Sequence, residues 1–300
     1  MTISETTHAR QLVSTALAAM LYEVSVNPKP GLVDPVDAGP HPDMNVFMFI
    51  DSAVSLRRYF DECVAAGEQF TGGLTALPDL FQTIRPAGIE AEKDMFGATH
   101  GVNTHKGAIF SLGIMLTAAA FQDRHPKVVP TGNAGLMQVI QKMLAALIDH
   151  DLANGDMHDV RNLTAGEYQY VKYGFLGIRG EAAAGFPVVM NHAYPFLARR
   201  TGSINERLLD TLLHILLYAD DSNLIKRSGN PDILLRVRQW VTRFFELGGS
   251  QTAEGVSFLQ KLNQKFKQEN LSLGGSADLL ILTIFLALRN GIIRSDQNTN

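Results

Sequence analysis

The sequence predicts an all-α protein, a single globular multi-helix domain whose ligand site is built from the loops between helices. Apolar residues recur at helical spacing along almost the whole chain, and alternating strand patterns are nearly absent. The 300 residues are 46% apolar and 19% charged, which is typical of a globular protein with a large core. We therefore expect one domain over residues 1–300, with an ordered core over about residues 8–292.

The predicted helices follow one another along the chain, each with an apolar face that repeats every three or four residues. Residues 279–288 are flanked by Asp278 and Arg289 and fall short of the about 18 apolar residues of a membrane span, so we expect a buried helix. Short pieces such as residues 127–129 are the strand candidates, and prolines bracket that one. The other apolar faces lie within residues 12–24, 46–60, 109–121, 136–147, 208–216, 234–244 and 258–266.

Composition and charge narrow the class of protein. A net charge of −4 does not favour binding to nucleic acid or to an anionic membrane. Cys63 is the single cysteine, which rules out an internal disulfide and suits a reducing cytosol. The polar residues 1–10 lack the layout of a signal peptide, so we expect a cytoplasmic protein.

A polar block between two glycines carries the strongest sign of function. Residues 101–109 read GVNTHKGAI, and a long apolar run follows at once. Glycine lets backbone approach a ligand closely, and a helix that begins near Gly107 would point its first amides at an anion. The block therefore predicts contacts to phosphates and sugar hydroxyls through four side chains, Asn103, Thr104, His105 and Lys106.

Charged residues precede this block in two segments. In the segment NPKPGLVD the prolines stiffen the loop, so that Lys29 and Asp34 would be held at fixed positions. A helix end followed by a turn explains the same pattern. Glu92 lies in the second segment, between Glu90 and Asp94. Glu90 and Asp94 can also be explained as part of the solvated face of a helix, without a role in the site. The two segments add one cation and several carboxylates to the candidates.

Segment 177–187 contributes a further cation and carboxylate. The planar guanidinium of Arg179 suits phosphate, and Glu181 lies where a helix of small residues begins. A helix cap followed by close packing through Ala and Gly is the alternative.

Two more segments complete the set of candidates. Residues 220–227 mix carboxylates and cations, of which we select Asp221, Lys226 and Arg227. Residues 274–278 open a helix, with Ser276 as the expected N-cap after Gly274 and Gly275. Asp278 is there either a partner of the helix dipole or a magnesium ligand. Together the segments suit a polyphosphate with Mg²⁺, which prefers oxygen ligands and phosphate together.

Six motifs resemble the triphosphoribosyl-dephospho-CoA synthase family and fall in that family's order from residue 23 to residue 288. The blocks GVNTHKGAIFSLG and RGEAAAGFP are the specific ones. Ser222 and Ser228 stand where the family often has Thr and Gly, and neither difference changes charge. The motifs are NPKPGLVD, HPDM, IRPAGIEAEKDMFGATHGVNTHKGAIFSLG, GIRGEAAAGFP, DDSNLIKRSG and LGGSADLL.

The resemblance implies an all-α, magnesium-dependent pentosyl transferase with ATP and 3′-dephospho-CoA as substrates. It would transfer the 5-triphosphoribosyl group of ATP to the ribose 2′-hydroxyl of 3′-dephospho-CoA and release adenine. The product would be the prosthetic-group precursor of the citrate lyase acyl carrier protein, loaded by a separate transferase chain. Malonate decarboxylase is the alternative destination, although GFLGIRGEAAAGFP looks closer to the citrate lyase branch.

The family reaction breaks the N-glycosidic bond of ATP and turns a β-nucleoside into an α linkage. A single inverting displacement is the simplest route, and positive charge develops on the ribose as in other glycosyl transfers. We therefore expect a carboxylate near the ribose, a group that takes the hydroxyl proton and an acid for the departing adenine.

The resemblance assigns the candidate residues to three kinds of role. For His105, a buried hydrogen-bonded side chain is as compatible with the sequence as proton transfer. The candidates for nucleotide binding are Lys29, Asn103, Thr104, Lys106, Arg179, Lys226, Arg227, Gly274, Gly275 and Ser276. The candidates for Mg²⁺ are Asp34, Asp278 and Glu181, and those for catalysis are His105, Glu92, Asp221 and Glu181.

Two other functions stay open on the residues alone. An all-α, Mg²⁺-dependent hydrolase of nucleotide or ADP-ribosyl bonds would use the same cations and carboxylates, with water as the acceptor. A helical nucleotide-binding or scaffold protein would bind ATP without turnover, but it leaves the polar loop motifs unexplained.

Overall fold

Helices make up the regular structure of the described chain. The structure is a computed structural model that describes residues 3–147 and 170–294, with side chains from residue 8. Within these ranges there is no β-strand, so the predicted all-α class is confirmed there. The strand candidate at residues 127–129 is a turn.

The described helices are numbered here in chain order. A π-helix, Val188–Ala193, leads directly into α8, and short 3₁₀ turns span Leu74–Ala76 and Gly249–Gln251. The α-helices are α1 Ile3–Ser25, α2 Val46–Ser55, α3 Arg57–Gln69, α4 Leu77–Ala98, α5 Lys106–Arg124, α6 Asn133–Met143, α7 Gly177–Ala183, α8 Tyr194–Arg199, α9 Ile204–Ile215, α10 Ser222–Ser228, α11 Ile233–Glu246, α12 Ala253–Gln268 and α13 Gly274–Arg289.

Two helices are buried on all sides and form the centre of the core. In α5 residues 111–122 are all buried, and in α13 residues 279–287 are all buried. A helix that is apolar around its whole circumference packs inside a protein. Accordingly α5 packs against α1, α3, α4, α6 and α13, and α13 also packs against α9. The polar first turns of α5 and α13 are thereby held beside each other.

The apolar face predicted over residues 46–60 belongs to two helices rather than one. α2 ends at Ser55 and α3 begins at Arg57, with the fully buried Leu56 between them. The side chain of Asn45 caps α2 by accepting a hydrogen bond from the Met48 amide. The inner face of α2 then lies against the loop that precedes α5, where it bears on the site described below.

A transmembrane segment is absent from the described helices, since none of them combines the length and the apolar character needed to cross a membrane.

Helices α3 and α5 approach each other closely at Gly67. A Cβ atom on Gly67 would lie 2.3 Å from the carbonyl oxygen of Thr117 and 2.9 Å from the Cβ of Ala120. Gly97, near the end of α4, would accept a Cβ with no other atom within 4 Å.

We predict that Gly67→Ala lowers the free energy of unfolding by about 1–3 kcal/mol, because the two helices must move apart to admit the methyl group. Gly97→Ala is the matched control and should raise the free energy of unfolding by up to about 1 kcal/mol, since alanine favours a helix. Urea denaturation followed by circular dichroism measures both. Equal effects of the two substitutions would contradict the proposed close approach.

Candidate active site

Two adjoining cavities lie where the first turns of α5, α10 and α13 meet. The first cavity, of about 270 Å³, also borders the end of α1, the inner face of α2 and the loop that follows α1. The second cavity, of about 450 Å³, borders α7 and the segment that leads into α10. Their common wall consists of Asn103, Lys106, Gly107, Asn223 and Asp278.

The common wall depends on a close contact between α5 and α13. A Cβ atom on Gly107 would lie 1.9 Å from Oδ2 of Asp278, so the carboxylate occupies space that only a glycine leaves open. Helix α5 begins at Lys106, one residue before the predicted start, and the Lys106 amide donates to Oδ1 of Asn103 over 3.3 Å. The first turns of two long helices therefore face this wall, and their amides favour anions there.

Asp278 is a partly buried carboxylate without a balancing charge. It has no hydrogen bond or ion pair with another residue of the described ranges. Burial raises its pKa well above the usual range, and the negative charges of Asp221 and Glu23 raise it further. A cation bound in either cavity would supply the missing charge and favour the ionised carboxylate.

Asp221, by contrast, is fully engaged in holding the site together. Its Oδ1 accepts hydrogen bonds from the amides of Asn223 and Leu224, which caps α10. Its Oδ2 accepts from both the amide and the hydroxyl of Ser276 at 2.7 and 2.8 Å. A carboxylate with four donors joins α10 to α13 and is not free to move a proton, so its predicted catalytic role receives no support.

Ser276 is correspondingly not the N-cap of its helix. Helix α13 begins at Gly274, and Ser276 lies inside its first turn, bound to Asp221. Of the neighbouring glycines, Gly274 lines the first cavity and Gly275 the second.

A buried ion pair forms one side of the first cavity. The ammonium group of Lys29 is only 1% exposed and donates to the carboxylate of Glu23 over 2.6 Å and to the Glu23 carbonyl over 2.7 Å. Glu23 is itself 3% exposed. The charge of Lys29 is therefore balanced within the protein, and Lys29 supports the wall rather than adding a free cation for a triphosphate.

Asp34 does not reach either cavity. Its Oδ2 accepts from the Lys29 amide, and its Oδ1 accepts from the amides of Val36 and Asp37. Three backbone donors engage both oxygens, and Asp34 is absent from the lining of both cavities. The structure thus separates Asp34 from Asp278 and Glu181, with which it was predicted to bind Mg²⁺.

Glu92 also lies outside the lining of both cavities. Its carboxylate forms an ion pair with Lys106 at 2.7 Å. Lys106 borders both cavities and is about half exposed, so Glu92 positions this cation from behind.

His105 is buried in the wall of the first cavity, with 2% of its surface exposed. Its Nδ1 lies 2.7 Å from the hydroxyl of Ser52, which in turn lies 2.8 Å from the hydroxyl of Thr104. The Phe49 ring packs edge-on against the imidazole at 5.0 Å. Burial, and next the charge of Lys29, lower the pKa of His105 to about 3, so the ring is neutral at physiological pH.

The remaining cations of the first cavity come from α10. Lys226 is exposed and has no ion pair within the described part of the chain. Arg227 donates to the Pro40 carbonyl and to Oδ1 of Asn270, and it lies 3.0 Å from Nδ1 of His41. Arg227 therefore ties two loops together at the cavity while keeping its charge without a carboxylate partner.

Glu181 is the titratable group of the second cavity that stands out. Its Oε1 accepts a hydrogen bond from the Val188 amide at 2.7 Å. Burial raises the pKa of Glu181, the hydrogen bond from the Val188 amide opposes this rise, the negative charge of Asp220 adds to it, and the resulting pKa is about 7. Arg179 is on the same helix but does not line either cavity, whereas its neighbours Ile178 and Gly180 line the second.

The structure brings together most of the predicted residues and adds three that the sequence argument missed. The predicted residues that border the first cavity are Lys29, Asn103, Thr104, His105, Lys106, Lys226, Arg227, Gly274 and Asp278. Those that border the second cavity are Glu181, Asp221 and Gly275, with Asn103, Lys106 and Asp278 common to both. Glu23 and Ser52 were missed, although each is a polar residue within the apolar face of its helix, which is a usable signal. Asn223 was missed beside Asp221, and nothing in its position marks it.

Comparison with known proteins shows the family to which this chain belongs. A family model described as ATP:dephospho-CoA triphosphoribosyl transferase matches residues 9–296. A protein of Lactiplantibacillus plantarum named probable 2-(5''-triphosphoribosyl)-3'-dephosphocoenzyme-A synthase is 54% identical over 282 residues, which cover 94% of this chain and 98% of that protein. A protein of Streptococcus equi subsp. equi with the same name is 37% identical over 91% of this chain and 94% of its own length.

A third relative is longer than this chain. Protein CitXG of Leuconostoc mesenteroides subsp. cremoris is 52% identical over 278 residues, which cover 92% of this chain and 58% of that protein. The chain belongs to the ATP:dephospho-CoA triphosphoribosyl transferase family. This confirms the resemblance seen in the motifs and makes the protein a transferase.

We predict that Glu23→Ala lowers the free energy of unfolding by about 3–5 kcal/mol, because it leaves the buried ammonium of Lys29 without a partner. The double variant Glu23→Leu with Lys29→Met should recover most of that loss, since no charge stays buried. Urea denaturation measures Glu23→Ala, and the same measurement on the wild type, Glu23→Leu, Lys29→Met and the double variant completes the cycle. A double variant as unstable as the sum of its parts would contradict the pairing.

Proposed function

We propose that this protein transfers the 5-triphosphoribosyl group of ATP to the ribose 2′-hydroxyl of 3′-dephospho-CoA and releases adenine. Membership of the family and the names of the relatives support this reaction. The structural observation that carries it is Asp278, an unpaired carboxylate on the wall between two adjoining cavities. A donor nucleotide that spans the two cavities would place its ribose at the wall between them, where a negative group stabilises the positive charge that develops on the ribose.

The first cavity is suited to a polyphosphate. Lys106, Lys226 and Arg227 border it. Lys106 is about half exposed although it pairs with Glu92, and Lys226 and Arg227 form no ion pair with another described residue. The first amides of α5 and α13 add to the attraction for anions. Arginine and lysine side chains around such amides are the usual means by which proteins hold phosphate. We therefore assign the triphosphate to this cavity, with Asn103 and Thr104 at its edge.

We assign Asp278 the role of stabilising the positive charge that develops on the ribose. In a displacement at an anomeric carbon the ribose becomes positive before the new bond is complete. A preorganised carboxylate in a site that excludes water stabilises such a charge strongly. Asp278 is suited to this role because burial, the first cause of its raised pKa, leaves the carboxyl group poorly solvated, and no described cation is paired with it.

We assign Glu181 the role of the acid that protonates the departing adenine. A leaving base departs more easily when it is protonated, and an acid works best with a pKa near the operating pH. The pKa of Glu181 is about 7, and the Val188 amide holds one of its oxygens in place. Glu181 lines the second cavity together with Asp278, so both groups would face the nucleotide from the same side of the common wall.

Mg²⁺ would be held by fewer protein carboxylates than the three that the sequence suggested. The described residues contain no group of three or more His, Cys, Asp and Glu side chains that could hold a metal ion. Mg²⁺ bound with substrate phosphates needs only one or two protein carboxylates, and unpaired Asp278 fits that need. Held by Asp278, the ion would neutralise part of the triphosphate charge.

We also propose the biological setting that the motifs suggested. The product would serve the citrate lyase acyl carrier protein rather than malonate decarboxylase, in the cytoplasm. A separate transferase chain would load the product onto the carrier. Purification of the product and its transfer to each apo carrier protein in turn would distinguish the two destinations.

We predict that free adenine appears when the protein, ATP and Mg²⁺ are incubated with 3′-dephospho-CoA, and not without the acceptor. Asp278→Asn should lower kcat by about 10²-fold or more, because the charged group facing the ribose is lost. Glu246→Gln, an exposed carboxylate paired with Arg243 on α11, is the control and should keep full turnover. Chromatography of nucleobases and phosphates measures the products. Adenine without acceptor would indicate a hydrolase, and ADP or pyrophosphate would contradict the proposed bond cleavage.

We predict that kcat/KM for ATP falls as the pH rises through about 7, because Glu181 must be protonated to act as an acid and its pKa is about 7. Glu181→Gln keeps an acceptor for the Val188 amide but cannot donate its proton. It should lower kcat by about 10²–10⁴-fold and remove the alkaline decline. Initial rates between about pH 5.5 and 9 test this. An unchanged alkaline decline in Glu181→Gln would assign the titration to another group.

A further inference from the structure

One polar atom in the wall of the first cavity has no partner. Nε2 of His105 is buried and makes no hydrogen bond with any residue of the described ranges. A buried ring nitrogen without a partner costs free energy unless a ligand provides one. Since His105 lines the cavity, a bound substrate is the available source of that partner.

The hydroxyl groups of Ser52 and Thr104, on the Nδ1 side of the ring, decide whether Nε2 carries a hydrogen. Ser52 lies in α2 and Thr104 precedes α5, and their oxygens are 2.8 Å apart. Thr104 donates to Ser52, and the Ser52 hydroxyl then has Nδ1 of His105 as its acceptor at 2.7 Å. With the hydrogens arranged this way, each hydroxyl hydrogen has an acceptor. The reverse arrangement leaves the Thr104 hydrogen without one among the described residues.

We propose that Ser52 and Thr104 fix His105 as the neutral tautomer with hydrogen on Nε2, and that this N–H donates to a phosphate oxygen of the bound substrate. His105 is then a binding residue of the first cavity, and Ser52 and Thr104 are positioning residues that act through it. The assignment of the ligand rests on the proposed transferase function, whereas the tautomer is a property of the protein alone.

A phosphate oxygen is the acceptor that the surroundings select. His105 lines a cavity that Lys106, Lys226 and Arg227 also border, and these cations attract an anion. The ammonium of Lys29 nearby opposes a positive imidazole, so the ring contributes a hydrogen bond and no charge. A neutral N–H donor among cations binds one oxygen in a fixed direction, which the flexible Lys226 does not provide.

The same geometry argues against His105 as a general base. A base needs a free lone pair on the nitrogen that faces the substrate, and the tautomer with hydrogen on Nε2 has none there. The two roles give opposite results in variants, because glutamine can donate from a similar position but cannot accept a proton at neutral pH.

The tautomer can be measured without substrate. Long-range ¹H–¹⁵N spectra of protein with labelled histidine distinguish a protonated from an unprotonated ring nitrogen, and His105→Gln identifies its signals among the nine histidines. At neutral pH we expect hydrogen on Nε2 and a bare Nδ1 in the wild type, and a mixture of tautomers in Ser52→Ala. Hydrogen on Nδ1 in the wild type would overturn the proposal even if the transferase activity is present.

Kinetics test the role in binding. His105→Met should raise KM by about 10- to 150-fold for the substrate whose phosphate contacts the ring. This factor corresponds to the free energy of a hydrogen bond to a charged group. His105→Gln should stay within about fivefold of the wild type in KM, because it keeps a donor. A rise in KM for ATP identifies the donor triphosphate, and a rise in KM for 3′-dephospho-CoA identifies the acceptor pyrophosphate. An equal fall of kcat in both variants, with KM unchanged, would overturn the proposal in favour of a base.

Ser52 tests the positioning step. Ser52→Ala should raise the same KM by a smaller factor than His105→Met, and the double variant should be no worse than His105→Met alone. Ser55→Ala removes a hydroxyl one turn further along α2, where it bonds only to the Ser52 carbonyl, and should leave KM unchanged. Independent, multiplying effects of Ser52→Ala and His105→Met would show that Ser52 does not act through the ring. Thermal melting of each variant excludes unfolding as the cause.

Discussion

The close contact between α5 and α13 at Gly107 and Asp278 is the constraint on which the site depends. Both helices are buried along most of their length, so their first turns cannot shift without disturbing the core. Gly107 leaves room for the Asp278 carboxylate, which would lie 1.9 Å from any added Cβ. The core thus holds an unpaired carboxyl group at the wall of two cavities, beside helix amides that attract anions.

Around that contact, several charged residues are paired within the protein. Asp221 joins α10 to α13 through four hydrogen bonds, and Asp34 orders its own loop through three. The buried pair of Glu23 and Lys29 balances its own charges. Burying a charge without partners is costly, so each engaged group had to be paired within the protein. The groups of the site that remain unpaired, chiefly Asp278 and Nε2 of His105, are therefore available to bind a ligand.

The two cavities also separate two kinds of chemistry. Cations and a neutral imidazole border the first, while the second holds Glu181, whose pKa of about 7 suits proton transfer. A donor nucleotide that spans the common wall would meet anion-binding groups at its phosphates and an acid at its base. This division fits the triphosphoribosyl transferase family, in which the bond to adenine breaks while the triphosphate stays intact.

The sequence by itself determined the helical class, the order of the motifs and the loops that carry the site. Helical spacing and polar blocks at helix starts are local properties, and they singled out His105, Lys106, Glu181 and Asp278, all of which line the cavities. Only the tertiary structure decided which polar groups remain free. Whether Asp221 or Asp278 keeps an open carboxylate depends on donors up to 55 positions away in sequence, such as Ser276. Such pairings follow from distances between packed helices, which no pattern along one segment encodes.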